Sequence, residues 1–265
     1  MLGLGSTLMG GAPSPEFTAA SISNLDLWYD FSTVTGSNGD AQASFANAGN
    51  AGSDYDLAQS SSSLRPTLDT SELALNGLDF DGDKFQLANA YLTTDKTFSI
   101  FIVYEVDATG DIDHFFGGSH EDRNIFGVYN HLNVTTRFNA EATSSLNDIE
   151  YIKVSLSTQD AQYTGSATTT TSYTLTANPE ILILTRAADN EIRIYNKAGA
   201  LIGLSTSYTN GHADTNFQIE YVGSESDTGA ATNGVIGEMG VYNKTLTASE
   251  ASTLAAHLAS KWSIS

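Results

Sequence analysis

Apolar residues recur along this chain at two spacings, and the commoner is that of a β-strand. Leu25, Leu27 and Tyr29 alternate with Asp26, Trp28 and Asp30, which predicts a strand with one face inward. Glu191–Tyr195 alternates too, with Ile192 and Ile194 inward, and Phe217–Gly223 follows the same rule. Phe98–Tyr104 and Ile181–Leu184 are apolar on both faces and read as central, doubly covered strands. Leu78 and Phe80 predict one short strand, Phe85 and Leu87 another. Between them Asp81-Gly82 signals a turn, because glycine supplies a positive φ. Further strands are expected near 125–129, 132–138 and 151–156. Residues 33–63, 107–124 and 139–150 read as polar loops, and the threonines 168–171 as an exposed strand or loop.

Helical spacing closes the chain. Gly234–Tyr242 is expected to be a central strand, with Val235, Met239 and Val241 on one face and Ile236 and Tyr242 on the other. Gly237 and Gly240 leave gaps where backbone or a large side chain can approach. Thr247 and Glu250 then have the spacing of a capping box. Ala251, Leu254, Ala255, Leu258 and Trp262 fall on one stripe of a helix running from Ala248 to about Trp262.

Composition narrows the classes. The chain has 265 residues, 40% of them hydrophobic, enough for the core of one large β-sandwich. No repeat and no break in composition divides residues 21–265. With 31 acidic residues against 11 basic, the net charge is −20. That argues against nucleic acid and anionic membrane surfaces as partners. There is no cysteine, so disulfides and thiolate chemistry are excluded. No apolar run has the length of a membrane span, so no membrane insertion is expected. Residues 1–20 are expected to form a glycine-rich arm. Its start has no basic segment and glycines interrupt its apolar residues, so it does not read as a signal peptide. Such an arm can become ordered on a neighbouring subunit.

The closing stretch resembles the end of the concanavalin A-like, laminin-G-like jelly-roll domains. The matching residues are Gly234, Ile236, Gly237, Glu238, Tyr242, Asn243, Lys244, Leu246 and Thr247, followed by a helix with Glu250, Leu254, Leu258, Lys261, Trp262 and Ile264. Leu27-Trp28-Tyr29-Asp30, the loop from Gly49 to Leu57, Arg65-Pro66-Thr67 and Phe80-Asp81-Gly82 occur in that family's order. Tyr195, Asn196 and Gly203 match its central meander, with the turn glycine displaced to 199. The resemblance implies an all-β jelly-roll sandwich of two antiparallel sheets with a C-terminal α-helix, over residues 21–265. Domains of this layout are similar to phage structural proteins. The implied protein is a non-enzymatic virion component (capsid decoration, head fibre or tail-associated), made in the host cytoplasm and assembled as an oligomer. Its arm would dock on other virion proteins, and its sandwich could present a surface for a cell-surface glycan. The alternatives are a lectin-like module of an adhesin, and a glycoside hydrolase or polysaccharide lyase of the same fold.

The candidate chemistry is sparse. Hydrolysis of a glycosidic bond needs two carboxylates flanking it. Glu105-Val-Asp107 begins the one-strand pattern of the fold's glucanases, but Thr109 and Gly110 stand where the second glutamate belongs. Asp79, Asp81 and Asp83 resemble the start of a calcium loop, yet the closing position is Ala90 rather than glutamate. The spacing reads first as a turn and no cofactor is expected; the alternative is calcium at a sandwich rim, held by Asp81 or Asp83 with Asp111 and Asp113. His114, His120, Glu121 and Asp122 match no zinc spacing. The expected glycan contacts are Tyr129, Tyr163, Tyr208 and His212, rings in or beside polar loops that a sugar face can stack on. No catalytic residue is assigned.

Overall fold

The computed structural model describes residues 17–92, 97–106, 112–117, 125–131, 135–145, 148–155, 166–170, 178–187, 191–208, 218–224 and 232–265, with backbone pairing alone over 125–170. The first strands are β1 (Leu25–Asp30), β2 (Ser44–Phe45), β3 (Leu57–Ala58), β4 (Thr67–Asp69), β5 (Gly77–Asp79) and β6 (Phe85–Leu92). Then come β7 (Phe98–Val106), β8 (Ile112–Gly117), β9 (Ile125–His131), β10 (Thr135–Ser145), β11 (Asp148–Ser155) and β12 (Ser166–Thr170). The last are β13 (Glu180–Arg186), β14 (Ile192–Tyr195), β15 (Leu201–Tyr208), β16 (Gln218–Val222) and β17 (Gly234–Tyr242), before the helix α1 (Ala248–Lys261).

Two antiparallel sheets stack as a sandwich, as expected. One has the order β12-β15-β14-β13-β7-β17-β5-β4, with β1 sharing the edge of β17 beyond β5. The other runs β11-β10-β9-β8-β16-β6-β3-β2. Between them lies the main core. Leu27, Tyr29, Ile100, Ile102, Leu182, Ile236 and Met239 of the first sheet meet Leu57, Phe85, Leu87, Phe115, Ile219 and Val222 of the second. Each such side chain contributes about 1.5–3 kcal/mol by leaving water.

A second core lies on the outer face of the first sheet. There Phe101, Val103, Ile181, Ile183 and Tyr242 pack under Ala251, Leu254, Ala255, Leu258 and Trp262 of α1. This is why β7, β13 and β17 are apolar on both faces: sheet covers one and helix the other. The helix starts at the expected capping box. Thr247 Oγ1 accepts from the Glu250 amide at 3.2 Å, and Glu250 Oε2 accepts from the Thr247 amide at 2.9 Å. The last residues of the expected arm join this layer. Phe17 and Ala19 pack with the helix cluster, and Tyr242 donates its hydroxyl proton to the Ala19 carbonyl at 2.8 Å.

Four expectations change. First, the faces of β17 invert partway. A bulge between Ile236 and Glu238 spends one residue without advancing along β7. Ile236, Met239 and Val241 therefore share the inter-sheet core, while Val235 and Tyr242 face the helix. Second, the Asp81-Gly82 turn joins different sheets: β5 belongs to the first and β6 to the second. Gly82 does adopt the expected positive φ, at 75°. Third, the 107–124 stretch contains β8. Its neighbours β16 and β9 supply the hydrogen bonds, and a register shift between His114 and Phe116 accompanies the burial of both Phe115 and Phe116. Fourth, the 139–150 stretch is mostly strand, since β10 runs to Ser145 and β11 starts at Asp148. A polar strand is held there by partners on both edges, which outweigh its weak propensity.

Candidate functional site

The bulge in β17 builds the first polar cluster. Glu238 is wholly buried on the helix-covered face. Its Oε1 accepts the Trp28 indole N–H at 2.8 Å, and its Oε2 accepts the Trp262 indole at 3.0 Å. Lys261 Nζ donates to Glu238 Oε2 and to Asp30 Oδ2, both at 2.7 Å. Both carboxylate oxygens are engaged, and no surface is left for a substrate. Glu238 is thus a structural anchor that ties β1, β17 and α1 together. Breaking a buried pair of this kind costs about 3–5 kcal/mol, because the partner charge remains buried. A cleft of about 410 Å³ opens beside it, lined by Thr18, Trp28, Asp30, His257, Ser260 and Lys261. Its charged groups already satisfy one another.

The second feature is a groove of about 460 Å³ on the outer face of the second sheet. In β6, Phe85 and Leu87 point into the core, so Gln86 and Ala88 point out. Gln86 lies opposite Ala58 of β3 on one side and Tyr221 of β16 on the other. These three side chains form a floor that runs across the strands. The pairing of β6 with β16 jumps from Gln86–Tyr221 to Tyr91–Ile219, so surplus residues of β6 bulge out between them. The bulge leans on the neighbouring loop: the Ala88 amide donates to the Asp56 carbonyl at 3.1 Å, and the Asn89 side-chain amide to the Asp54 carbonyl at 3.0 Å.

One wall is the loop from Gln59 to Leu64, and it is clipped in place. Gln59 Nε2 donates to the Lys84 carbonyl at 2.9 Å, and the Lys84 amide donates to the Leu64 carbonyl at 3.1 Å. Arg65 holds the loop from behind, with Nε on the Gln59 carbonyl at 2.9 Å and Nη2 on the Ser60 carbonyl at 3.3 Å. Lys84 lies over the Tyr221 ring, its Nζ 5.7 Å from the centroid. Tyr221 is consequently only 8% exposed. Among the described residues the lining contains amides, hydroxyls, one tyrosine and one lysine, and no carboxylate.

Two of the residues expected to bind glycan lie on strands that do not line the groove. Tyr129 sits on β9, opposite Ile112 and Arg137, while Tyr208 ends β15 in the other sheet, opposite Ser166. Tyr163, His212 and Asp111 lie outside the described residues, as does the side chain of Asp113, whose backbone pairs with Val128. Asp81 and Asp83 do come together with Asp79 at the sheet-crossing turn. Burial, then Asp79, then Asp81 push the Asp83 carboxyl up to about 6. Among the described residues no group of three or more acidic or histidine side chains has the geometry to hold a metal. Gln59, Lys84, Gln86 and Tyr221 were not singled out in the sequence. The only signal there was the outward phase of Gln86 within an alternating strand.

No protein-family model matches this sequence, and no curated protein does. Solved structures do match in fold. A sialidase of Trypanosoma rangeli, in complex with sialic acid, superposes with a TM-score of 0.53 at 15% identity over 91% of this chain. This chain spans 33% of that sialidase. An HCR/D variant matches with a TM-score of 0.53 at 10% identity, covering 88% of this chain and 50% of its own. Domain 4 of the arabinanase AbnA from Geobacillus stearothermophilus, in complex with arabinotriose, has a TM-score of 0.44 at 13% identity over 88% of this chain and 98% of its own. The likenesses to the sialidase and the HCR/D variant show the fold alone, a jelly-roll-like all-β sandwich.

Proposed function

We propose that this domain is a non-catalytic carbohydrate-binding sandwich that holds a glycan in the groove on its second sheet. The observation behind this reading is the groove's make-up: a preformed trough whose floor and wall offer amides and hydroxyls beside a largely buried tyrosine. Hydroxyl-rich ligands are recognised by such polar groups in fixed positions. A binding module is favoured over a hydrolase because the lining has no carboxylate to act as acid or nucleophile. Relatives in fold include a sialidase in complex with sialic acid, which agrees with a carbohydrate ligand without identifying one. A glycan array probed with and without calcium tests the reading. Binding to a restricted set of glycans, lost in Tyr221→Ala, is expected; no binding in either condition would overturn it.

A second reading sets the domain on a phage particle, anchored to other virion proteins through the arm. It rests on the sequence resemblance and on one feature of the geometry. Phe17 packs on the helix-covered side, opposite the groove, so an anchor attached there would not compete with the ligand. Mass spectrometry of purified particles is expected to find the protein in stoichiometric amount, and its absence there would end this reading.

A further inference from the structure

We infer that the groove takes an internal stretch of about two residues from an uncharged, linear glycan, laid across the strands. This rests on the carbohydrate-binding reading of the same groove. The floor consists of Ala58, Gln86 and Tyr221, aligned on three adjacent strands. Two inter-strand steps make it about 10 Å long, the span of roughly two sugar rings. Among the described residues the trough is an open one rather than an enclosed cavity, which suits a stretch of chain more than a capped end. Its shape is set before binding, because Gln59, Lys84 and Arg65 pin the wall through their hydrogen bonds. A ligand therefore does not have to order the loop.

Charge selects the ligand further. The Lys84 ammonium rests over the Tyr221 ring and Lys84 is only 7% exposed, so it offers little to an incoming anion. The molecule's net charge of −20 repels a polyanion at longer range. Hydrogen bonding from amides and hydroxyls remains, with the exposed Gln86 carboxamide at the centre of the floor.

Isothermal titration of the full chain is the test. The probes are gluco-, xylo-, manno- and galacto-oligosaccharides of one to four residues, and oligogalacturonates of the same lengths. The expected result is that one neutral series binds, its affinity rising from monosaccharide to disaccharide and then levelling off, and that Gln86→Ala weakens it by about tenfold. Reducing the sugar at the chain end of the tetramer is expected to leave binding unchanged. Equal affinity for a monosaccharide, tighter binding of oligogalacturonates, or no effect of Gln86→Ala would overturn this inference while leaving carbohydrate binding in place. No binding by any probe or on the array would overturn both.

Discussion

Asp83 shows how one residue's environment sets its chemistry. It shares a tight turn with Asp79 and Asp81, and burial and those two neighbours hold its carboxyl at about 6 rather than near 4. A carboxyl raised in the folded state favours the protonated protein. Its contribution to stability is complete below about pH 4 and lost as the pH rises through about 6. Asp83→Asn imitates the protonated form. We expect the variant to melt above the parent at pH 7, with the difference vanishing below about pH 4; a constant difference across that range would remove the explanation. The acidic spacing was visible in the sequence, whereas the partial burial that adds to the crowding came from the chain crossing between sheets there.

At the scale of elements, the bulge in β17 is decisive. It includes Gly237, which lies beneath Trp262, where a β-carbon would stand 2.7 Å from the indole Cη2 and 2.8 Å from Leu73 Cδ1. It also places Glu238 between the indoles of Trp28 and Trp262, the only tryptophans in the chain. Gly237→Ala should overpack this contact, costing about 1–3 kcal/mol. Differential scanning calorimetry is expected to show a lower melting temperature, and tryptophan emission should shift as the two indoles rearrange. An unchanged spectrum and melt would show that the helix yields freely. The sequence announced the two glycines, the glutamate and the helix stripe. It did not reveal the bulge, because a strand's pattern repeats every two residues and one unpaired residue reverses the phase silently.

For the whole molecule, the helix and the N-terminal segment cover one sheet while the second sheet keeps its groove. Ala19 and Ile22 are part of the helix layer. Residues 1–15 are read from the sequence as an arm, and their removal is expected to leave the melting temperature within about 2 °C of the parent. Removal of residues 1–22 should lower it clearly, because apolar surface under α1 is uncovered. Equal melts for both truncations would separate the segment from the fold.

The chain's own alternation determined its central strands and its closing helix, while the sandwich was expected from the family resemblance. Local spacing suffices for these, because each element must bury a face with its own period. The capping box and the turn glycine at 82 were likewise local facts. The groove was a different matter. Ala58, Gln86 and Tyr221 are far apart in sequence and ordinary in their local patterns, and only the pairing of β3, β6 and β16 sets them side by side. The same holds for Glu238, which looked like a lone acid until tertiary packing surrounded it with two indoles and Lys261. Periodicity tells which side of a strand is buried. Which strands become neighbours, and where their register slips, is settled by long-range packing, and in this protein the candidate site depends on both.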